Sequence, residues 1–114
     1  MSLTYKMKGL DKFIRSTQQK GRKARIAVNQ ELNRSSLRVE RAAKLYAPWD
    51  TGWLSESIYS MQASALGYKV ISPVYYSIYV ELGTRKMNAQ PFLEPAVREE
   101  EPKLMRNLNK MFRK

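Results

Sequence analysis

The chain has 114 residues, 43% hydrophobic and 27% charged, with 21 Lys/Arg against 10 Asp/Glu for a formal net charge of +11. It contains no cysteine and no histidine, which excludes disulfides, thiolate nucleophiles, Cys or His metal ligands, and Ser-His or Cys-His catalysis. The length allows one domain, residues 1–114, and no apolar run reaches the roughly 18 residues of a membrane span.

The N-terminus, MSLTYKMKGLDKF, lacks an apolar core segment and does not read as a signal peptide. Residues 1–9 are expected to be disordered or tag-derived. From Leu10 to Tyr46 there is no proline, and Ala24, Val28, Leu32, Ser35, Val39, Ala42 and Tyr46 recur at spacings of three and four. That stripe predicts one long helix over residues 10–47, with Gly21 as its weak point and Pro48 as its stop. Its other faces carry Arg22, Lys23, Arg25, Arg34, Arg38, Arg41 and Lys44. A straight helix from Leu10 to Tyr46 would reach roughly 55 Å, against a radius of gyration of about 13 Å for a globule of this size. It must therefore bend, project, or pack on another subunit.

The charge is concentrated here. Residues 1–47 hold twelve Lys/Arg against three acids, residues 48–90 hold three against three, and residues 91–114 hold six against four. Such a basic segment suits nucleic acid, an anionic surface or an acidic protein, or is simply a solvated helix face.

Residues 48–90 are read as a turn, a β-hairpin and a loop. YAPWDTGWLSESI contains Asp50-Thr51-Gly52, the triplet of the aspartic-protease active site. That chemistry needs the aspartate on a loop leaving a buried strand, with a second carboxylate about 3 Å away. Here a helical segment broken by proline precedes it, and too little strand-forming sequence exists for an all-β lobe. Asp50 and Thr51 suit a helix N-cap, Gly52 permits a tight turn, and WLSESI can form one or two helical turns. The triplet is expected to be a joint. SIYSMQAS and GYKVIS then form an antiparallel hairpin across Ala65-Leu66-Gly67. In VYYSIYVELGT the residues Tyr76, Ile78, Val80 and Leu82 alternate as in a strand, while Tyr75, Ile78, Tyr79 and Leu82 fit a helix face; both remain open. TRKMNAQP is a polar loop.

Residues 91–114 form the last helix, with Leu93, Val97, Leu104 and Leu108 in phase. Glu94 and Glu99–Glu101 come early, and Arg106, Lys110, Arg113 and Lys114 come late, as the helix dipole favours. Pro95 suits the first turn, and Pro102 is expected to kink or restart the helix.

The order of three blocks, Ala47–Ile58, Tyr75–Thr84 and Pro91–Ala96, between two helices resembles the gene-product-ten-like tail-component family of long-tailed phages and prophages. The match covers roughly Leu10 to Phe112. It falls on Asp50, Thr51, Gly52 and Leu54; on Tyr76, Tyr79, Val80, Glu81, Gly83 and Thr84; and on Pro91, Phe92, Leu93, Pro95 and Ala96. Ser77 stands where the family often has alanine, and Leu82 where an aromatic is common.

The resemblance implies a non-enzymatic virion protein, without cofactor or metal, acting in head–tail joining or tail completion. It also implies a homo-oligomeric ring, other neck or tail proteins as partners, and residence in the virion after assembly in the host cytoplasm. Physically, Phe92 and Leu93 would anchor the last helix, and Glu81 would need a basic partner, Arg85 or an arginine of the long helix. The tyrosines Tyr75, Tyr76 and Tyr79, with Trp49 and Trp53, suit either an interface or a core. Arg22, Lys23, Arg25, Arg85 and Lys86 are the cations expected to face DNA or a partner. The alternative function is a basic nucleic-acid-binding protein gripping phosphates through the N-terminal helix. The expected fold is α+β: a long N-terminal helix, a small antiparallel sheet, and a C-terminal helix packed on it.

Overall fold

A computed structural model of the chain describes residues 3–6, 15, 21–48, 53–64 and 67–111. Two long helices, α1 (Arg22–Tyr46) and α4 (Leu93–Met111), lie beside an antiparallel sheet of β1 (Leu3–Lys6), β2 (Tyr59–Ser64) and β3 (Gly67–Ser72). Two short helices, α2 (Trp53–Ser57) and α3 (Ser77–Leu82), complete the described elements. The α+β fold is as the sequence predicts.

The sheet order is β1-β3-β2, so the expected hairpin gains a third strand. Leu3 pairs with Ser72, and Tyr5 with Val70. For residues 3–6 this corrects the expectation of disorder; the rest of residues 1–9 lie outside the described residues. Leu3 and Tyr5 alternate toward the core and pack against its buried cluster, whereas Thr4 points to solvent. A four-residue strand, LTYK, gives too short a period-2 signal to read from sequence.

Within the predicted long helix Arg15 is helical, and the continuous described helix starts at Arg22. Gly21, with φ of 92° and ψ of −166°, precedes it in backbone space that only glycine enters easily. At the far end Ala47 is extended, as the residue before Pro48 must be, and its N–H donates to the Ala43 carbonyl at 2.9 Å. α4 runs through Pro102 as one helix rather than restarting there.

α1 and α4 are antiparallel. Val39, Ala43 and Ala47 share the main core with Phe92, Leu93 and Ala96, together with Val70 of β3. Val28 and Leu32 form a second cluster with Leu104 and Leu108. Phe92 and Leu32 are completely buried; truncating such a side chain to alanine costs about 2–5 kcal/mol. Glu40 covers the edge of the sheet, where its carboxylate accepts the Ser60 N–H at 2.7 Å. This occupies one exposed donor of the edge strand β2, a position prone to unwanted strand pairing.

Candidate functional site

Two of the three sequence blocks meet at one carboxylate. Glu81, at the end of α3, is buried and accepts three backbone N–H groups at the start of α4. Phe92 and Leu93 donate to Oε1 at 3.1 and 2.9 Å, and Glu94 donates to Oε2 at 3.0 Å. These donors have no partners within their own helix, and a negative charge at this end also suits the helix dipole. The expectation of a basic partner is therefore corrected: among the described residues, backbone N–H groups of α4, and not Arg85 or an α1 arginine, satisfy Glu81. Sequence reasoning missed this because a cap contributed from eleven residues upstream leaves no local capping pattern.

The loop between the two blocks is shaped to bring them together. Gly83 has φ of 81° and ψ of 172°, and a Cβ there would lie 2.8 Å from the Ala89 nitrogen. Thr84 and Met87 form a bridge, with the Thr84 N–H donating to the Met87 carbonyl at 2.8 Å. The Gln90 N–H donates to the Val80 carbonyl at 2.8 Å, which returns the chain to α3 just before α4 begins. Thus the polar segment Thr84–Pro91 is exposed but tied at both ends.

α3 resolves the ambiguity of VYYSIYVELGT in favour of a helix, one that packs Val80 on the core but buries two polar residues and leaves much of its apolar area exposed. It buries Ser77 and Glu81 and leaves Tyr79 and Leu82 exposed, at 43% and 71%, as is Tyr75 in the turn just before it, at 66%. Tyr79 and Leu82, three residues apart, share a helix face. The buried polar groups are satisfied: Ser77 Oγ donates to the Val74 carbonyl at 2.6 Å and lies 2.6 Å from Ser72 Oγ. Aromatic contacts extend the patch. Tyr76 packs edge-on against Tyr75 at 5.3 Å and against Trp53 of α2 at 6.2 Å. Trp53 is 58% exposed, whereas the adjacent Leu54 is buried in the core. Val80 packs against that core. Pro91 is exposed, Pro95 is half-buried in the first turn of α4, and Ala96 is buried.

Between α1 and α4 lies a buried polar network that sequence reasoning also missed. Arg38 donates from Nε and Nη2 to the two oxygens of Glu100, both at 2.8 Å, and from Nη2 to Glu31 at 2.6 Å. Asn107 donates to the same Glu31 oxygen at 3.0 Å. Burial pushes the Glu31 carboxyl up, but the hydrogen bonds from Asn107 and Arg38, with the Arg38 charge, outweigh it and hold it below its ordinary value. The Glu100 hydrogen bonds raise Arg38 further against its own burial. The three charged groups fill a helix seam, and no apolar periodicity announces them.

Asp50, Thr51 and Gly52, like Trp49, lie outside the described residues. The cations Arg22, Lys23 and Arg25 are exposed at the start of α1, and Arg85 and Lys86 are exposed in the loop before α4. Antiparallel packing puts these two groups at opposite ends of the helical pair, so they form no single surface. Among the described residues there is no group of three or more acids able to hold a metal, and no helix long and apolar enough to cross a membrane. No protein-family model matches the chain, and comparisons with curated proteins and with solved structures likewise find no match.

Proposed function

We propose that this protein is a non-enzymatic structural component of a phage or prophage tail, acting in head–tail joining or tail completion through self-association. The observation that carries the reading is the exposed apolar area of α3 and the turn before it. A helix that buries a serine and a glutamate, while it and the turn before it present two tyrosines and a leucine to solvent, makes poor use of its apolar area unless a partner covers it. Aromatic side chains around such a patch are what subunit interfaces favour.

The remaining geometry supports a scaffold role. Glu81 and Gly83 fix α3 and its loop rigidly against α4, which holds the apolar stripe in a set orientation before any partner arrives. Pre-ordering of this kind lowers the entropic cost of association. The likeness of the three blocks to the tail-component family gives the class of assembly. A ring requires each subunit to offer two different surfaces, and α3 with Trp53 would supply one.

The test is the composition of purified phage particles from a lysogen encoding the chain. Detection of the protein in particles by mass spectrometry supports the reading. Particles containing every other structural protein but lacking this one would refute it.

A further inference from the structure

The charges of α1 and α4 are sorted along the helical pair. Residues 12–30 contain no acid, and neither do residues 102–114. The acids of α1 are Glu31 and Glu40, and those of α4 are Glu94, Glu99, Glu100 and Glu101. Four of these six acids pair with nearby cations: Glu31 and Glu100 with Arg38, Glu31 also with Arg34, Glu40 with Lys44, and Glu94 with Arg98. The exposed cations Arg22, Lys23, Arg25, Arg106 and Lys110 form no ion pair with any described residue.

The fold gathers these unpaired cations at one end. Arg38 faces Glu100 and Glu31 faces Asn107, which fixes the antiparallel register of the pair. Continuing that register puts Arg106 level with Leu32 and Lys110 level with Val28. Arg25 follows about 4.5 Å further along α1, at 1.5 Å per residue. All five cations thus lie within about 15 Å of one another along the axis of the pair, at 1.5 Å per residue, so the acid-free stretches of the two helices share one end. Sequence alone separates the two groups by some eighty residues; only the helix packing joins them.

We propose that this end of the helical pair binds the phosphodiester backbone of duplex DNA without sequence preference. The surface offers side-chain charge from two helices and does not depend on the backbone amides of α1. Three of its five cations are arginines, whose planar fork suits phosphate oxygens. Flexible, unpaired cations spread over two helices need no shape match to a phosphate array, because counterion release supplies the free energy. Nothing here reads bases, which agrees with contacts that position but do not specify. The surface lies at the opposite end of the pair from the start of α4, where Glu81 holds α3, so DNA contact and self-association need not compete. The inference stands independently of the tail-protein reading.

The test uses three charge-matched double variants of the full chain, each checked for fold by circular dichroism. These are R22E/K23E, R106E/K110E and R85E/K86E, and the probe is a fluorescent duplex of random sequence. The wild-type chain should bind, and neutralising about three phosphates should cost roughly fortyfold in affinity between 50 and 200 mM salt. R22E/K23E and R106E/K110E should each weaken binding tenfold or more, while R85E/K86E should weaken it less than threefold. Equal losses in all three variants would mean that net charge alone drives binding and would overturn the site. No binding at 50 mM salt would do the same. Polyglutamate binding as tightly as the duplex, per unit charge, would assign the surface to an acidic protein partner and overturn the DNA assignment.

Discussion

The Glu81 carboxylate accepts the Leu93 N–H at 2.9 Å, and through this and two further bonds one residue of α3 caps the helix that forms a flank of the core. The bond joins two sequence blocks whose role is otherwise obscure. It makes a definite demand on Glu81: a buried acceptor of three amides has no neutral substitute of equal capacity. Glu81→Ala should destabilise the fold by about 2–3 kcal/mol, since it orphans donors at a helix terminus and removes a charge that suits the dipole. Urea unfolding followed by circular dichroism measures it. A loss under 0.5 kcal/mol would show that water replaces the carboxylate freely.

Gly83 makes a second demand. Its φ of 81° with ψ of 172° lies in a region occupied almost only by glycine, and a Cβ would meet the Ala89 backbone at 2.8 Å. Gly83→Ala should cost about 1–3 kcal/mol through backbone strain alone. Gly21 has a similar φ of 92° but open space around it, so Gly21→Ala should cost less. Thermal melts of the two variants side by side test the difference.

Arg38 is the only cation joining Glu31 and Glu100 among the described residues. Arg38→Ala would leave two nearly buried carboxylates facing each other. Breaking such a pair typically costs about 3–5 kcal/mol, reduced here to about 2–4 because the Arg38 side chain is 34% exposed. Replacing Glu31, Arg38 and Glu100 together by methionine should cost much less, because no uncompensated charge remains. Comparison of the single and triple variants by denaturant unfolding separates charge isolation from lost packing.

The same network gives an acid limit. The Glu31 carboxyl is lowered in the folded protein, so the folded state binds its proton less readily than the unfolded chain. Its stabilisation is complete above the ordinary glutamate value of about 4.3 and is lost as pH falls through the depressed folded value. Stability should therefore drop on acidification below about pH 4.5, and Glu31→Gln should flatten part of that drop. Tyr5 acts at the opposite extreme. Burial, with Glu101 and Glu100 nearby, raises its hydroxyl, so its contribution is lost only as pH rises beyond the ordinary tyrosine range. Melting temperatures across pH 3 to 11 read both limits.

The parts of the fold legible in the sequence were those carried by long periodic segments. The α1 stripe named Val28, Leu32, Ser35 and Val39 correctly, and the hairpin strands emerged from β-rich runs around a glycine. The stripe erred in its last turn. It placed Tyr46 inside, whereas Tyr46 is 40% exposed and donates its hydroxyl to Glu99, while Ala43 is fully buried. An ideal 3.6-residue period drifts over seven turns, and one misplaced residue rotates the end of the stripe out of the core. Strand β1 was missed because four residues, LTYK, carry almost no pattern. The candidate site was half legible. The helical face of Tyr75, Ile78, Tyr79 and Leu82 was visible, although Tyr75 falls in the turn before α3 and Ile78 is half-buried, but its direction was not, because periodicity identifies a face without saying what covers it. Nor could Glu81 or Arg38 be assigned their partners, which come from α4 through tertiary packing alone.

The central claim is that the exposed stripe of α3 is a self-association surface. The most direct measurement is the molar mass of the purified chain by light scattering at low and high salt. It should be repeated on Tyr75→Ser/Tyr79→Ser/Leu82→Ser, a variant whose substitutions fall on exposed positions. The account requires a discrete oligomer that persists at high salt, as an apolar contact should, and a folded monomer for the variant. A wild-type chain that stays monomeric at every concentration and salt, or a variant whose oligomer is unchanged, would contradict it.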